Sequence, residues 1–411
     1  MATRSDLVPA DQALEIILSG AFTAGEEDVP LNQAAGRVLA RDLAALRTQP
    51  PFAASAMDGY AVVATDVATV PATLAIIGEA AAGHPFLGTL APGQAVRIFT
   101  GAPVPHGADS IVIQENTMRD AGNVRVLVPS RSSQYVRPAG LDFATGDVLL
   151  HKGDVLDPQR LSLAAAMGHA NLPVARRPLV GVMATGDELV NPGEQTDPGQ
   201  IIASNTYGLA AIVENAGGLV HDCGIVADRK RDLVNAFEEA ISAGCSLIVT
   251  TGGASVGDHD LIVPVALELG ATIHFTRIAM RPGKPLIHAT FQRHGQAVQL
   301  LGLAGNPVSS IVAAYRFVAP LVASMAARPA PEMAPVNAIL GKPLPANDER
   351  EEYMRVTLEH GPQGTLVAHP FERQDSSMLA NLARADALLI RPANAPAALP
   401  GEACKLLLLR R

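Results

Sequence analysis

Between residues 178 and 327 short apolar runs alternate with longer stretches of helical period. The pattern predicts strands over 179–183, 219–226, 247–250, 272–278, 286–289 and 297–301, with helices over 206–216, 230–243, 261–269 and 308–326. Alternation at this spacing implies a largely parallel sheet covered on both faces, a central three-layer α/β/α domain. Residues 51–146 read differently. Short β-type runs at 74–77, 96–99, 110–113 and 124–128, separated by Gly and Pro turns, predict a β-rich domain.

Residues 1–50 hold one predicted helix (10–18) and the apolar triplet 38–40, too little to fold alone. Apolar runs at 148–150 and 155–156 and an Ala-rich helix over 158–167 complete them into a discontinuous N-terminal unit, 1–50 plus 147–177, into which the β-rich domain is inserted. A Pro-rich linker at 328–331 then leads to predicted strands at 354–358, 365–368, 388–390 and 405–409, expected to form a small C-terminal β-barrel over 328–411. The fold class is therefore α/β, multidomain.

A chain of 411 residues suits about two to four domains. A net charge of −9 and a pI near 5.7 argue against a nucleic-acid binder, which needs a basic face. Cys223, Cys245 and Cys404 show no CxxC spacing and suit a reducing compartment. Polar residues from Asp6 to Glu15 interrupt any secretory apolar core, and Arg316 and Pro320 interrupt the stretch 308–325, which reads as a core helix rather than a membrane span. A cytoplasmic, soluble protein is expected.

Candidate chemistry concentrates after the strands, where open α/β sheets bind ligands. The loop TTGGASVGDHD offers Gly252 and Gly253 to an anion and Asp258 and Asp260 to Mg²⁺. The neighbouring loops add Thr185, Glu188 and Asp228, then Arg277, Arg281 and Lys284, then Asn306, Pro307, Ser309 and Ser310. Carboxylates, small residues and fixed cations on one edge suit a metal-bridged phosphate ester. Glu188, Asp228, Asp258 and Asp260 are candidate metal ligands, although Mg²⁺ typically needs only one or two protein carboxylates. Ser255, Ser309 and Ser310 stand where helices start and serve equally as caps or phosphate contacts. His259 is the one histidine in the candidate site, and no nucleophilic triad emerges.

The chain resembles the MoeA family, the molybdopterin molybdenumtransferases, which includes the gephyrin C-terminal domain. The likeness rests on TGGASVGDHD, ATGDEL (184–189), RPGKP (281–285), AGNPVSS (304–310), SAMDGYAV (55–62) and FTGAPVP (99–105). The last two lie outside the α/β domain shared with the smaller molybdopterin adenylyltransferases. The resemblance implies a homodimer with an active site shared between subunits, completed by Asp58, Thr100 and Asp142.

It further implies Mg²⁺-dependent insertion of molybdate into adenylylated molybdopterin, with cleavage of the phosphoanhydride and release of AMP. Partners implied are molybdopterin adenylyltransferase and acceptor apoenzymes. Alternatives are the adenylyl transfer itself and a non-catalytic dimeric scaffold. Arg277 and Arg281 stand where family members often carry lysine, Ala304 replaces a usual proline, and Arg350 and Ser376 match basic and serine positions near the family's site.

Overall fold

In the computed structural model six strands form the sheet that the alternation predicts, in the order Leu219–Val226, Leu179–Thr185, Leu247–Thr251, Gln296–Leu303, Pro285–Arg293, Thr272–Arg277. The first four run parallel, and Pro285–Arg293 runs against both neighbours. The structure describes residues 7–253, 261–293, 295–329, 335–361 and 364–409.

Successive strand residues feed opposite faces, as the pleat requires. Val180, Val182, Leu247, Val249 and Leu301 belong to one buried cluster, whereas Met183, Ile248 and Leu300 belong to another. The helix Asn205–Asn215 packs on the first face through Leu209, Ile212 and Val213. The helix Lys230–Ser242 packs on the second through Leu233, Phe237, Ala240 and Ile241. Both sets follow helical spacing, and each fully buried large side chain contributes about 1.5–3 kcal/mol. The three-layer expectation holds.

The predicted helix 308–326 is Pro307–Ala313, a π-helical turn Ala314–Val318 and Ala319–Met325. Pro320 lacks an N–H, so it cannot continue the i→i−4 ladder, and the wider turn precedes it. This helix is long and apolar enough to cross a membrane, yet 83% of it is buried inside the protein. Phe317, Val318, Leu321 and Val322 enter the same core as the sheet, so it is a core helix.

Towards the C-terminus, the strands Glu351–His360, Leu366–Pro370, Val336–Leu340, Ala403–Leu408 and Ala387–Arg391 pair in that order. Glu351–His360 also pairs with Ala387–Arg391, which closes them into a barrel. Val336–Leu340 lies just beyond the Pro-rich stretch, where no strand was expected. A sixth strand, Met280–Arg281, comes from the α/β region and pairs in parallel with Glu351 and Glu352.

By compactness the chain divides into two units, one of residues 1–27, 36–38 and 174–411, the other of 28–35 and 39–173. The second contains a six-stranded sheet ordered Ser110–Ile113, Gly59–Val62, Gln94–Ile98, Ala72–Ala80, Asn123–Val126, Thr117–Asp120. Its helix Pro158–Ala166 starts as the sequence suggests. Pro158 sits in the first turn, and the N-cap Asp157 accepts the Arg160 N–H at 2.8 Å.

Candidate functional site

Parallel register brings the carboxyl ends of three strands together, with Ala184 beside Thr251 and Thr251 beside Leu303. The loops that follow enclose a cavity of about 630 Å³ lined by Thr185, Glu188, Asp228, Gly252, Gly253, Asn306 and Pro307. Seven of the residues singled out from sequence therefore meet at one edge. Asp258, Asp260, Ser255 and His259 lie outside the described residues.

Glycine is required at one point of this wall. Gly252 has φ 91°, and a Cβ there would fall well under 3.0 Å from the Thr185 carbonyl oxygen. The exposed Glu188 carboxylate folds back over Gly186, where an added Cβ would meet only the end of that flexible side chain. The Gly252 N–H is already donated to the Leu303 carbonyl at 3.2 Å. Two consecutive amides facing a ligand are therefore not available from the Gly252–Gly253 pair. The Asp228 N–H is donated to Asp187 Oδ1 at 3.2 Å, which ties the Glu188 and Asp228 loops together.

The cations are placed differently from expectation, because none of Arg277, Arg281, Lys284 and Arg350 lines this cavity. Arg281 Nη2 lies 2.7 Å from Glu352 and its Nη1 lies 3.3 Å from Asp348, while Arg350 Nη2 donates to Asp348 at 2.8 Å. The hydrogen bond to Glu352 holds the Arg281 guanidinium above its ordinary pKa, and the one from Arg350 holds Asp348 below the usual carboxylate range. Lys284 is exposed, and Arg277 is half-buried at a strand end. Ser309 and Ser310 are buried in the helix Pro307–Ala313 and do not line the cavity.

Ser376 enters through its backbone, its carbonyl accepting the Val308 N–H at 3.0 Å. The neighbouring Ser377 lines the cavity, as do Asn205, Leu189, Ile201 and Ile202. Sequence reasoning missed all five of these lining residues. Asn205 Nδ2 donates to the Gly305 carbonyl at 2.8 Å and so braces the loop carrying Asn306 and Pro307. The signal for it was Ser204-Asn205 immediately before a helical pattern, which reads equally as a capping pair.

In the other compact unit the MDGYA and FTGAPVP segments meet because Gly59 pairs with Ile98. Thr100 donates to Asp58 Oδ1 from its backbone N–H at 2.8 Å and from its hydroxyl at 2.7 Å. These bonds, with Arg97 adding a smaller effect, hold the Asp58 carboxyl below its ordinary pKa. A Cβ on Gly59 would overlap the Val112 carbonyl, so only glycine permits this approach. Asp142 is exposed on a turn whose N–H is donated to the Gln49 carbonyl at 3.0 Å. No hydrogen bond joins it to the Asp58–Thr100 pair.

Among the described residues no group of three His, Cys, Asp or Glu side chains converges on a metal position. Glu188 and Asp228 on one cavity wall still satisfy the one or two carboxylates that Mg²⁺ takes from protein beside phosphate oxygens. The cysteines offer neither ligand nor nucleophile. Burial pushes the thiols of Cys223, Cys245 and Cys404 up to about 11, about 12 and about 11.

Residues 8–168 match the MoeA N-terminal region (domain I and II), residues 181–324 a probable molybdopterin binding domain, and residues 337–409 the MoeA C-terminal region (domain IV). A molybdopterin molybdenumtransferase from a Nostoc species is 37% identical over 373 residues, covering 89% of this chain and 85% of the relative. One from Bacillus subtilis is 33% identical over 411 residues, covering 98% and 94%. The crystal structure of a molybdopterin biosynthesis MoeA protein from Pyrococcus horikoshii matches with a TM-score of 0.83 at 29% identity, covering 99% of this chain and all of that one.

Proposed function

We propose a division of labour among the site residues from one premise: the chain belongs to the MoeA family, the molybdopterin molybdenumtransferases of molybdenum cofactor biosynthesis. Its substrates are adenylylated molybdopterin and molybdate. The phosphoanhydride is cleaved, AMP leaves, and molybdenum remains on the pterin dithiolene. Such phosphoryl-type chemistry asks the protein for positioning and charge compensation rather than a covalent intermediate, in keeping with the inert thiols.

The cavity at the strand ends takes the pyrophosphate portion. Glu188 and Asp228 are the residues that would hold Mg²⁺, which when bound would supply positive charge to offset that of the phosphates. The Gly253 N–H and the Asn306 amide are donors to the anion, and Leu189, Ile201 and Ile202 offer an apolar wall to a planar ring. Arg281 and Arg350 carry the positive charge for molybdate, at a place set apart from the cavity wall and already shared with Asp348 and Glu352. We place the enzyme in the cytoplasm and assign it a homodimeric state in which Asp58 and Thr100 serve the cavity of the second copy.

The observation that carries this reading is the meeting of Glu188, Asp228 and the Gly252–Gly253 turn on one cavity wall within a MoeA chain. The test mixes purified protein, Mg²⁺ and adenylylated molybdopterin with and without molybdate, measures AMP, and then reconstitutes a molybdenum-requiring apoenzyme. Molybdate-dependent AMP release with active cofactor supports it. Adenylylated pterin recovered intact overturns it in favour of a scaffold. Mixed dimers of Asp58→Asn and Glu188→Gln chains test the shared site, since about a quarter to a half of wild-type turnover should return only if the two residues act across copies.

A further inference from the structure

Among the described residues Arg355 is the largest fully buried side chain, 1% exposed, and no step above uses it. A guanidinium in that position must be satisfied, since an unpaired buried charge costs several kcal/mol. Its Nε donates to Gln374 Oε1 at 3.0 Å, and its Nη1 donates to the Asp375 carbonyl at 2.9 Å. The backbone N–H of Arg355 donates to the same Gln374 oxygen at 2.9 Å, and Gln374 Nε2 returns a bond to the Arg355 carbonyl at 3.0 Å. The loop is therefore clamped to the barrel strand Glu351–His360 through both backbone and side chain.

What the clamp holds is the segment that reaches the cavity. Asp375 Oδ1 accepts the Ser377 N–H at 2.8 Å and its hydroxyl at 2.6 Å, and Ser377 lines the cavity. One residue earlier, the Ser376 carbonyl accepts the Val308 N–H, one of the amides that a helix start leaves without an intrahelical partner.

We propose that Arg355 is a positioning residue for the reaction: through Gln374 and Asp375 it fixes Ser376 against the Val308 amide and Ser377 against the cavity. The inference rests on the cavity being the substrate site. Arg355 itself touches neither cavity nor substrate.

The test uses full-length Arg355→Met, which keeps an unbranched apolar stem and removes the buried charge and its donors, and Gln374→Leu, which breaks the same clamp from the other side. Hydrogen exchange at the Val308 amide reads the clamp without reference to catalysis. Protection there should fall about tenfold in either variant, with the amides of the strand Leu247–Thr251 unchanged. The double variant should lose no more than either single one, because both cut one linkage. For turnover, KM for adenylylated molybdopterin should rise about tenfold with kcat within about twofold, and Arg355→Lys should recover part of the loss.

Unchanged Val308 protection in both folded single variants overturns the clamp. Lost protection with KM unchanged overturns its role in positioning. If the wild-type protein itself releases no AMP, the reading of the cavity fails, while the exchange result still decides whether the clamp exists.

Discussion

Alanine at Gly252 separates two costs that a glycine-rich turn usually confounds. Gly270 has φ 84° with nothing within 4 Å of an added Cβ, so Gly270→Ala carries only the left-handed penalty, about 1–2 kcal/mol. At Gly253, with φ 62°, the added carbon meets the side chains of Ile262 at 3.0 Å and Thr185 at 3.1 Å, which yield by small rotations. At Gly252 it meets the Thr185 carbonyl, fixed within the parallel ladder, so overpacking adds about 1–3 kcal/mol to the same penalty. The expected order is Gly252→Ala at about 2–5 kcal/mol, then Gly253→Ala, then Gly270→Ala. The chain has no tryptophan, so urea unfolding is best followed by far-UV circular dichroism, converting the midpoint shift through a shared m-value. Equal shifts for Gly252→Ala and Gly270→Ala would refute the claim that the Thr185 backbone dictates glycine there. Binding of adenylylated molybdopterin should weaken most in Gly252→Ala, since relief of the overlap must move the turn that carries the Gly253 donor.

Thr100→Val removes one of two hydrogen bonds to Asp58, so the Asp58 carboxyl should titrate at higher pH than in the wild type, read by NMR. Because the folded pKa is the depressed one, stabilisation from this pair is present above the ordinary carboxylate pKa and is lost as pH falls through the folded value, and the variant should show less acid sensitivity. Burial lowers His288 to about 4 from 6.5, so folding favours its neutral form; stability should fall between about pH 6.5 and 4, by about 3 kcal/mol if His288 acts alone, and His288→Leu should flatten that slope. Native protein at pH 8 should resist iodoacetamide at all three cysteines, as intact mass would show, because their thiols remain protonated; modification of Cys245 before unfolding would contradict its burial.

The α/β region was legible because buried strands such as Leu247–Thr251 are continuous apolar runs and helices such as Lys230–Ser242 repeat their core positions at helical spacing. The reversal of Pro285–Arg293 was harder to read. Its hairpin register, Arg293 opposite Gln296, carries only Gly295 as a turn marker. Site residues on strand-end loops were legible for the same reason as the strands, since topology gathers those loops at one edge. The engagement of Arg281 with Asp348 and Glu352 was not, because the partners lie 67 and 71 residues away and only the pairing of Met280–Arg281 with Glu351 and Glu352 brings them together. Charge says that a cation is present; it does not say which carboxylate will claim it.

That short strand, Met280–Arg281, also bears on how such a chain can be rearranged. It belongs by sequence to the α/β region and by hydrogen bonding to the C-terminal sheet, and Tyr353, Leu388 and Leu407 enter the same apolar cluster as Val182 and Phe317. A cut in the Pro-rich stretch, where the sequence most invites one, would strip an edge strand from one piece and bare a slab of core on both. The C-terminal segment is thus welded to its neighbour rather than appended, and a chimera that exchanges it between relatives must carry the RPGKP loop and the facing core residues with it.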